Sequence, residues 1–335
     1  MGKFGEALNK LPIEVKARLR RVPQPDWIAP MLATLTQERF SREGWLFEPK
    51  WDGERCLAFR RGSRVTLLSR NRVRLNDKYP EIALSLHQQG ADRFIADGEI
   101  VSFQDGVTSF AKLQQRMQVD HPSTELIRRV PVRLHLFDLL YLDRYDARRV
   151  PLRWRKQVLR DVLDFTDPLR LTEHCETEGE AYYRRACRAG WEGVIAKNSR
   201  SAYVSRRTRD WLKFKCGMAQ EFVVGGYTEP RGSRIGFGAL LLGFHRRGKL
   251  VYAGKVGTGF DRATLRRLGS RLAQLETGVS PFQAGEPPRG GVHWVKPRLV
   301  AQVAFTEWTR KGKLRHPRFI GLREDKRAED VARES

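Results

Sequence analysis

Along the first residues, Leu8, Leu11, Val15 and Leu19 recur near the helical period before Pro23 and Pro25 intervene, so residues 1–28 read as a basic N-terminal extension carrying one helix. From Trp45 the pattern shortens to strands, predicted over 45–50, 54–61 and 64–69, with Gly62-Ser63 closing a hairpin. Lys50 then lies at a strand end. Further strands are predicted over 94–103, 132–142 and 193–197, separated by helical stretches such as 178–188, which Gly190 stops. Residues 29–217 therefore form a mixed α+β domain. After Lys215 the texture becomes strands at 221–227, 239–245, 249–255 and 299–309 with Gly-rich turns between, which predicts a small all-β, barrel-like domain over 218–326. Residues 327–335 make a charged tail expected to fray.

Composition narrows the class of partner. The chain has 335 residues, and 63 Lys plus Arg against 39 Asp plus Glu leave a net charge of +24. Such a chain repels itself unless an anion screens it, and a polyphosphate backbone is the commonest anion of that size, ahead of an acidic membrane surface. Four cysteines, Cys56, Cys175, Cys187 and Cys216, lack Cys-x-x-Cys spacing and nearby histidines, which argues against structural zinc. No apolar run approaches the ~18 residues of a membrane span. The first residues have neither a signal-peptide core nor a myristoylation motif. A reducing cytoplasm fits these features.

Chemistry concentrates first in Glu48-Pro49-Lys50-Trp51-Asp52-Gly53-Glu54-Arg55. A lysine amine that loses its proton can attack phosphorus and form a phosphoramidate. Alone, Lys-x-Asp-Gly reads sooner as a solvated lysine beside an Asp-Gly hairpin turn. Other segments follow in order: Ser69-Arg70-Asn71, Asp97-Gly98-Glu99-Ile100, Phe137-Asp138-Leu139-Leu140-Tyr141, Glu192-Gly193-Val194-Ile195-Ala196-Lys197 and Trp211-Leu212-Lys213-Phe214-Lys215. Each sets a polar group beside a strand-like apolar run, as strands lining one cleft would. Alternation puts Lys213 and Lys215 on one face and Phe214 on the buried one.

This ordered series resembles the nucleotidyltransferase motifs shared by ATP-dependent DNA ligases and mRNA capping enzymes. Three further segments, 254–260, 305–309 and 315–326, look like the ligase module of bacterial ligase D, an end-joining enzyme that works with Ku. The resemblance implies an adenylation domain followed by an OB-fold domain, and sealing of 5′-phosphate/3′-hydroxyl breaks in duplex DNA with ATP and Mg²⁺ or Mn²⁺. The chain is too short for attached polymerase and phosphoesterase domains, so a stand-alone, monomeric, nucleoid-associated bacterial ligase is expected, with Ku as a partner.

Roles carried over by position make Lys50 the nucleophile that takes AMP. Glu48, Arg55, Arg70, Glu99, Phe137, Arg209, Lys213 and Lys215 become ATP contacts. Glu99 and Glu192 become metal ligands, with Glu99 alternatively on the ribose and Phe137 stacking on adenine or filling the core. Arg55, Lys213 and Lys215 would offset phosphate charge. Arg323 and Lys326 would contact the β and γ phosphates during adenylylation. Where many relatives have Gly after Ser69-Arg70-Asn71, this chain has Arg72, and Asn71 is expected to supply a positive φ if one is required. The rivals are an mRNA-type guanylyltransferase using GTP and a catalytically silent DNA-binding protein on the same fold. An NAD-dependent ligase would be expected to bring a four-cysteine zinc module that is missing here.

Overall fold

The computed structural model describes residues 3–334 apart from Arg231 and Arg289. It separates into two compact units, Met1–Cys216 and Gly217–Ser335.

The first unit is built on two sheets. The larger runs in the order Arg20–Arg21, Tyr145–Asp146, Arg133–Leu142, Arg93–Val101, Glu54–Arg61, Arg64–Ser69, with Leu169–Leu171 added in parallel to Arg133–Leu142. The smaller runs Cys175–Glu176, Trp45–Pro49, Gly193–Asn198, Arg207–Lys215, Leu32–Leu35. Lys50 to Gly53 is the crossover between them, because Trp45–Pro49 belongs to one sheet and Glu54–Arg61 to the other. One face of the large sheet buries Leu134, Leu136 and Leu139 with Leu159 and Val162 of the helix Leu152–Val162. The other face buries Leu57, Ile95, Phe137 and Leu140 with Trp211. A strand with both faces covered loses the simple alternation that sequence reading relies on.

Two terminal segments differ from expectation. The single N-terminal helix is two, Lys3–Asn9 and Ile13–Lys16, because Pro12 between them cannot donate the backbone hydrogen bond that a continuous helix needs. Ala7, Leu11 and Val15 are buried in the first unit's main core, so these residues are part of that unit. At the other end, residues expected to fray are docked: Ala328 and Val331 enter the second unit's core, and the Val331 carbonyl accepts from His245 N–H (2.7 Å). Gln220 holds the tail as well, its amide donating to the Ala332 carbonyl (3.1 Å) and accepting from Glu334 N–H (3.0 Å).

The second unit is a six-stranded sheet, Lys249–Val256, Leu240–Arg246, Met218–Thr228, Val292–Phe305, Glu276–Thr277, with Arg318–Leu322 also pairing to Val292–Phe305. Register shifts at Val224/Gly226 and Leu242/Gly243 let it curl. The helix Arg262–Ala273, capped by Asp261 accepting from Thr264 N–H, buries Leu265, Leu268 and Leu272. Cys187 and Cys216 form a disulfide within the first unit, with Cα atoms 5.0 Å apart. Their separation of 29 residues gave no sign of it. No helix among the described residues is long and apolar enough to cross a membrane.

Candidate active site

The Lys50 crossover is held from both sides. Its backbone N–H donates to the Gly193 carbonyl (2.9 Å), and its ammonium is ion-paired with the Glu192 carboxylate. Glycine is required at two points of this contact. A Cβ on Gly193, whose φ is 152°, would lie 2.0 Å from the Phe214 carbonyl oxygen, and one on Gly53 would lie 2.1 Å from that of Ile100. Gly53 thus serves close backbone approach rather than the positive-φ hairpin turn that an Asp-Gly pair suggests. Burial pushes the Lys50 amine's pKa down, but Glu192, with Asp52 and Glu99 nearby, outweighs it and holds the pKa above that of an ordinary lysine.

Behind Lys50, Glu48 is only 2 % exposed and its carboxylate bridges two buried ammonium groups, Lys156 (2.7 Å) and Lys197 (2.6 Å). Burial raises the Glu48 pKa, yet the two lysines bring it below the usual carboxylate value. Lys156 also donates to the Thr172 carbonyl (3.0 Å). Lys197 sits 4.1 Å from the Phe137 ring centroid and 4.2 Å from that of Trp211, and burial pulls its pKa down to about 8. Lys156 had no sequence signal, since it lies in a helix crowded with arginines. Lys197 stood in a quoted motif without a role.

Arg55 is held by a buried carboxylate. Its guanidinium grips Asp97 with two hydrogen bonds of 2.6 Å and lies 4.7 Å from the Phe137 centroid. Asp97 also accepts from Tyr203 Oη (2.7 Å), so the pair is fixed from two sides. Phe137 itself is buried, at the edge of Trp211, with Arg55 and Lys197 both over its ring. Glu99 is half-buried and stands cross-strand from Arg55 on one side and His135 on the other.

Lys213 and Lys215 are half-buried on the strand beside Gly193–Asn198, with Phe214 fully buried between them, as alternation requires. Arg209, on the same strand within its register shift, is exposed. Arg70 follows the Arg64–Ser69 strand into a tight loop in which Ser69 Oγ accepts from Asn71 and Val73 N–H (3.3 and 3.1 Å). The positive φ in that loop belongs to Arg72 (64°), not to Asn71. In the second unit, Arg323 is buried and grips Asp325 (2.8 and 2.7 Å) and Gln302 (2.9 Å), while Lys326 pairs with Glu221 (3.4 Å).

An amine at a sheet crossover facing carboxylates fits nucleotidyl transfer. The family model described as "ATP dependent DNA ligase domain" matches residues 30–215, and "ATP dependent DNA ligase C terminal region" matches residues 233–326. The chain belongs to the ATP-dependent DNA ligases. The ligase is 39% identical over 94% of its length to the "Multifunctional non-homologous end joining protein LigD" of Pseudomonas aeruginosa, and spans 37% of that protein. To the "Multifunctional non-homologous end joining DNA repair protein LigD" of Mycobacterium tuberculosis it is 36% identical over 94% of its length, spanning 41% of the relative. The solved structure "mycobacterial DNA ligase D complexed with ATP and MES" superposes with a TM-score of 0.66 at 35% identity, covering 91% of this ligase and 98% of that chain. The fold is therefore a nucleotidyltransferase domain followed by an OB-fold domain. A capping-type guanylyltransferase is not favoured.

Proposed function

We propose that this chain seals 5′-phosphate/3′-hydroxyl breaks in duplex DNA through a lysyl-AMP intermediate on Lys50, in repair of the end-joining type. The observation that carries the reading is the Lys50–Glu192 ion pair at the crossover between the two sheets. The adenylation domain spans 29–217 and the OB-fold domain 218–326. The protein acts as a monomer on nicked or broken duplexes, with Ku as a partner.

In this reading Lys50, held at rest as an ammonium by Glu192, first loses its proton to solvent. The neutral amine then attacks the α-phosphorus of ATP: the N–P bond forms and pyrophosphate leaves with the broken P–O bond. AMP passes next to a DNA 5′ phosphate, and the 3′ hydroxyl displaces it. Lys213 and Lys215, half-buried beside Gly193, supply positive charge to the phosphates, with Arg70 and Arg209 on the nucleotide or the nick's 5′ phosphate. Phe137, with Lys197 and Glu48 behind it, forms the base pocket. Arg323 and Lys326 reach the β and γ phosphates after exchanging Asp325 and Glu221 for them.

Glu99 and Glu192 offer oxygen donors only, which fits a hard cation that keeps waters and takes one or two carboxylates. Mg²⁺ or Mn²⁺ held there would neutralise developing phosphate charge. Incubation with labelled ATP and Mg²⁺ should add one adenylyl group by intact mass, and Lys50→Ala should abolish it. Labelling by GTP instead, or an adduct that survives Lys50→Ala, would overturn the reading. A nicked duplex should then be sealed in a gel assay.

A further inference from the structure

His135 is the unexplained group of this site. It is 8 % exposed, and neither ring nitrogen has a hydrogen-bond partner among the described residues. An orphaned polar group at that depth is uncommon and calls for a missing partner. Its strand turns Leu134 and Leu136 into the opposite core, so His135 lies on the Phe137 side of the sheet. Directly across the antiparallel ladder is Glu99, and residues so paired project from the same face with Cβ atoms about 5 Å apart. Trp51, the neighbour of Lys50 in the chain, covers the imidazole at 4.1 Å between ring centroids and is itself fixed by donating to Thr172 Oγ1 (3.1 Å).

We propose that His135 is a specificity-determining contact of the nucleotide sugar, its imidazole hydrogen-bonding a ribose hydroxyl beside Glu99. The inference rests on the reading that this site takes ATP. Three features select a hydroxyl over other ligands. Burial, then Arg133 and Arg170, bring the imidazole's pKa down to about 3, so the ring is neutral and presents one donor and one acceptor. The same two arginines disfavour a metal cation at the imidazole. A phosphate would draw the guanidinium groups and gain only one donor from the ring, whereas a hydroxyl can use either ring nitrogen while Glu99 accepts a second bond. Along the strand His135 lies two residues from Phe137, a spacing of about 7 Å on one face, which a single nucleoside can span.

The test is lysyl-AMP formation from ATP, 2′-deoxy-ATP and 3′-deoxy-ATP, with kcat/KM compared in the parental protein, His135→Phe and His135→Gln. The parental protein should prefer ATP over at least one deoxy analogue. His135→Phe keeps a ring beneath Trp51, so adduct still forms, but the preference should fall about 3- to 10-fold through loss of rate with ATP alone. His135→Gln, which retains a donor and an acceptor, should keep part of the preference. Equal losses with ATP and the deoxy analogues would mean a packing role only, and a preference unchanged in both variants, or absent from the parental protein, would likewise overturn the inference. Failure of the parental protein to form any ATP adduct would remove the ATP reading beneath it, a result visible before any variant is made.

Discussion

The Lys50 ammonium and the Glu192 carboxylate are direct partners, so the proposed nucleophile rests in its protonated, unreactive form. With its pKa held above the ordinary lysine value, the neutral amine is a minor species that grows as pH rises. Single-turnover adenylylation should therefore accelerate about tenfold per pH unit between about pH 7 and pH 9. In Glu192→Gln the rate should fall by at least about 10²-fold through loss of a carboxylate facing the phosphates, while the slope flattens because only Asp52 and Glu99 then oppose the lowering of the amine's pKa by burial. An unchanged slope would assign the proton to another group.

The Glu48 carboxylate is ion-paired with two buried ammonium groups at once, those of Lys156 and Lys197. Glu48→Gln leaves both without a counter-charge and should lower unfolding free energy by about 3–5 kcal/mol in urea titrations. Adding Lys156→Met should restore part of that loss. Strictly additive losses would mean that the three side chains are not coupled.

Arg72 occupies a left-handed backbone conformation in a loop closed by its own N–H donating to the Ser69 carbonyl (3.0 Å). Glycine takes that conformation without the Cβ penalty, though with greater chain entropy to lose. Arg72→Gly should raise stability by up to about 1 kcal/mol, seen as a higher Tm, whereas Asn71→Gly should not.

The Cys187–Cys216 bond closes a loop with a sequence separation of 29 residues that contains both Glu192 and Lys213. Reduction should destabilise the first unit by about 2–4 kcal/mol. The effect of reductant on Tm should vanish in Cys187→Ser. If reductant lowers the Tm of that variant equally, the bond is not its target.

Arg209 is exposed on the strand that carries Lys213 and Lys215. Arg209→Ala should weaken nicked-duplex binding evenly across sequences and reduce the log–log salt slope by about one. Loss of ATP adduct formation in the absence of DNA would place it on the nucleotide instead.

Some of this site was legible because it is local. The alternation of Lys213, Phe214 and Lys215 gives both the strand and its faces, and the order of the motifs gave the family. Other parts depend on contacts that no window can see. Glu48 meets Lys156 at a separation of 108 residues, and Asp97 meets Arg55 at a separation of 42. His135 gave no signal at all, because a lone histidine in an apolar run looks like core until its neighbours are known. Both termini were misread for one reason: a few apolar residues decide docking, while the many charged ones dominate composition.

The burial of Ala7, Leu11 and Val15 has a practical edge, together with the edge strand Arg20–Arg21 and the Gln24 amide that donates to the Arg60 and Phe94 carbonyls (3.0 Å each). A fragment trimmed to residue 30, where the family match begins, would open holes in the sheet's helical side and bare a strand edge. Its insolubility would then be mistaken for inactivity of a catalytic centre that had never been altered.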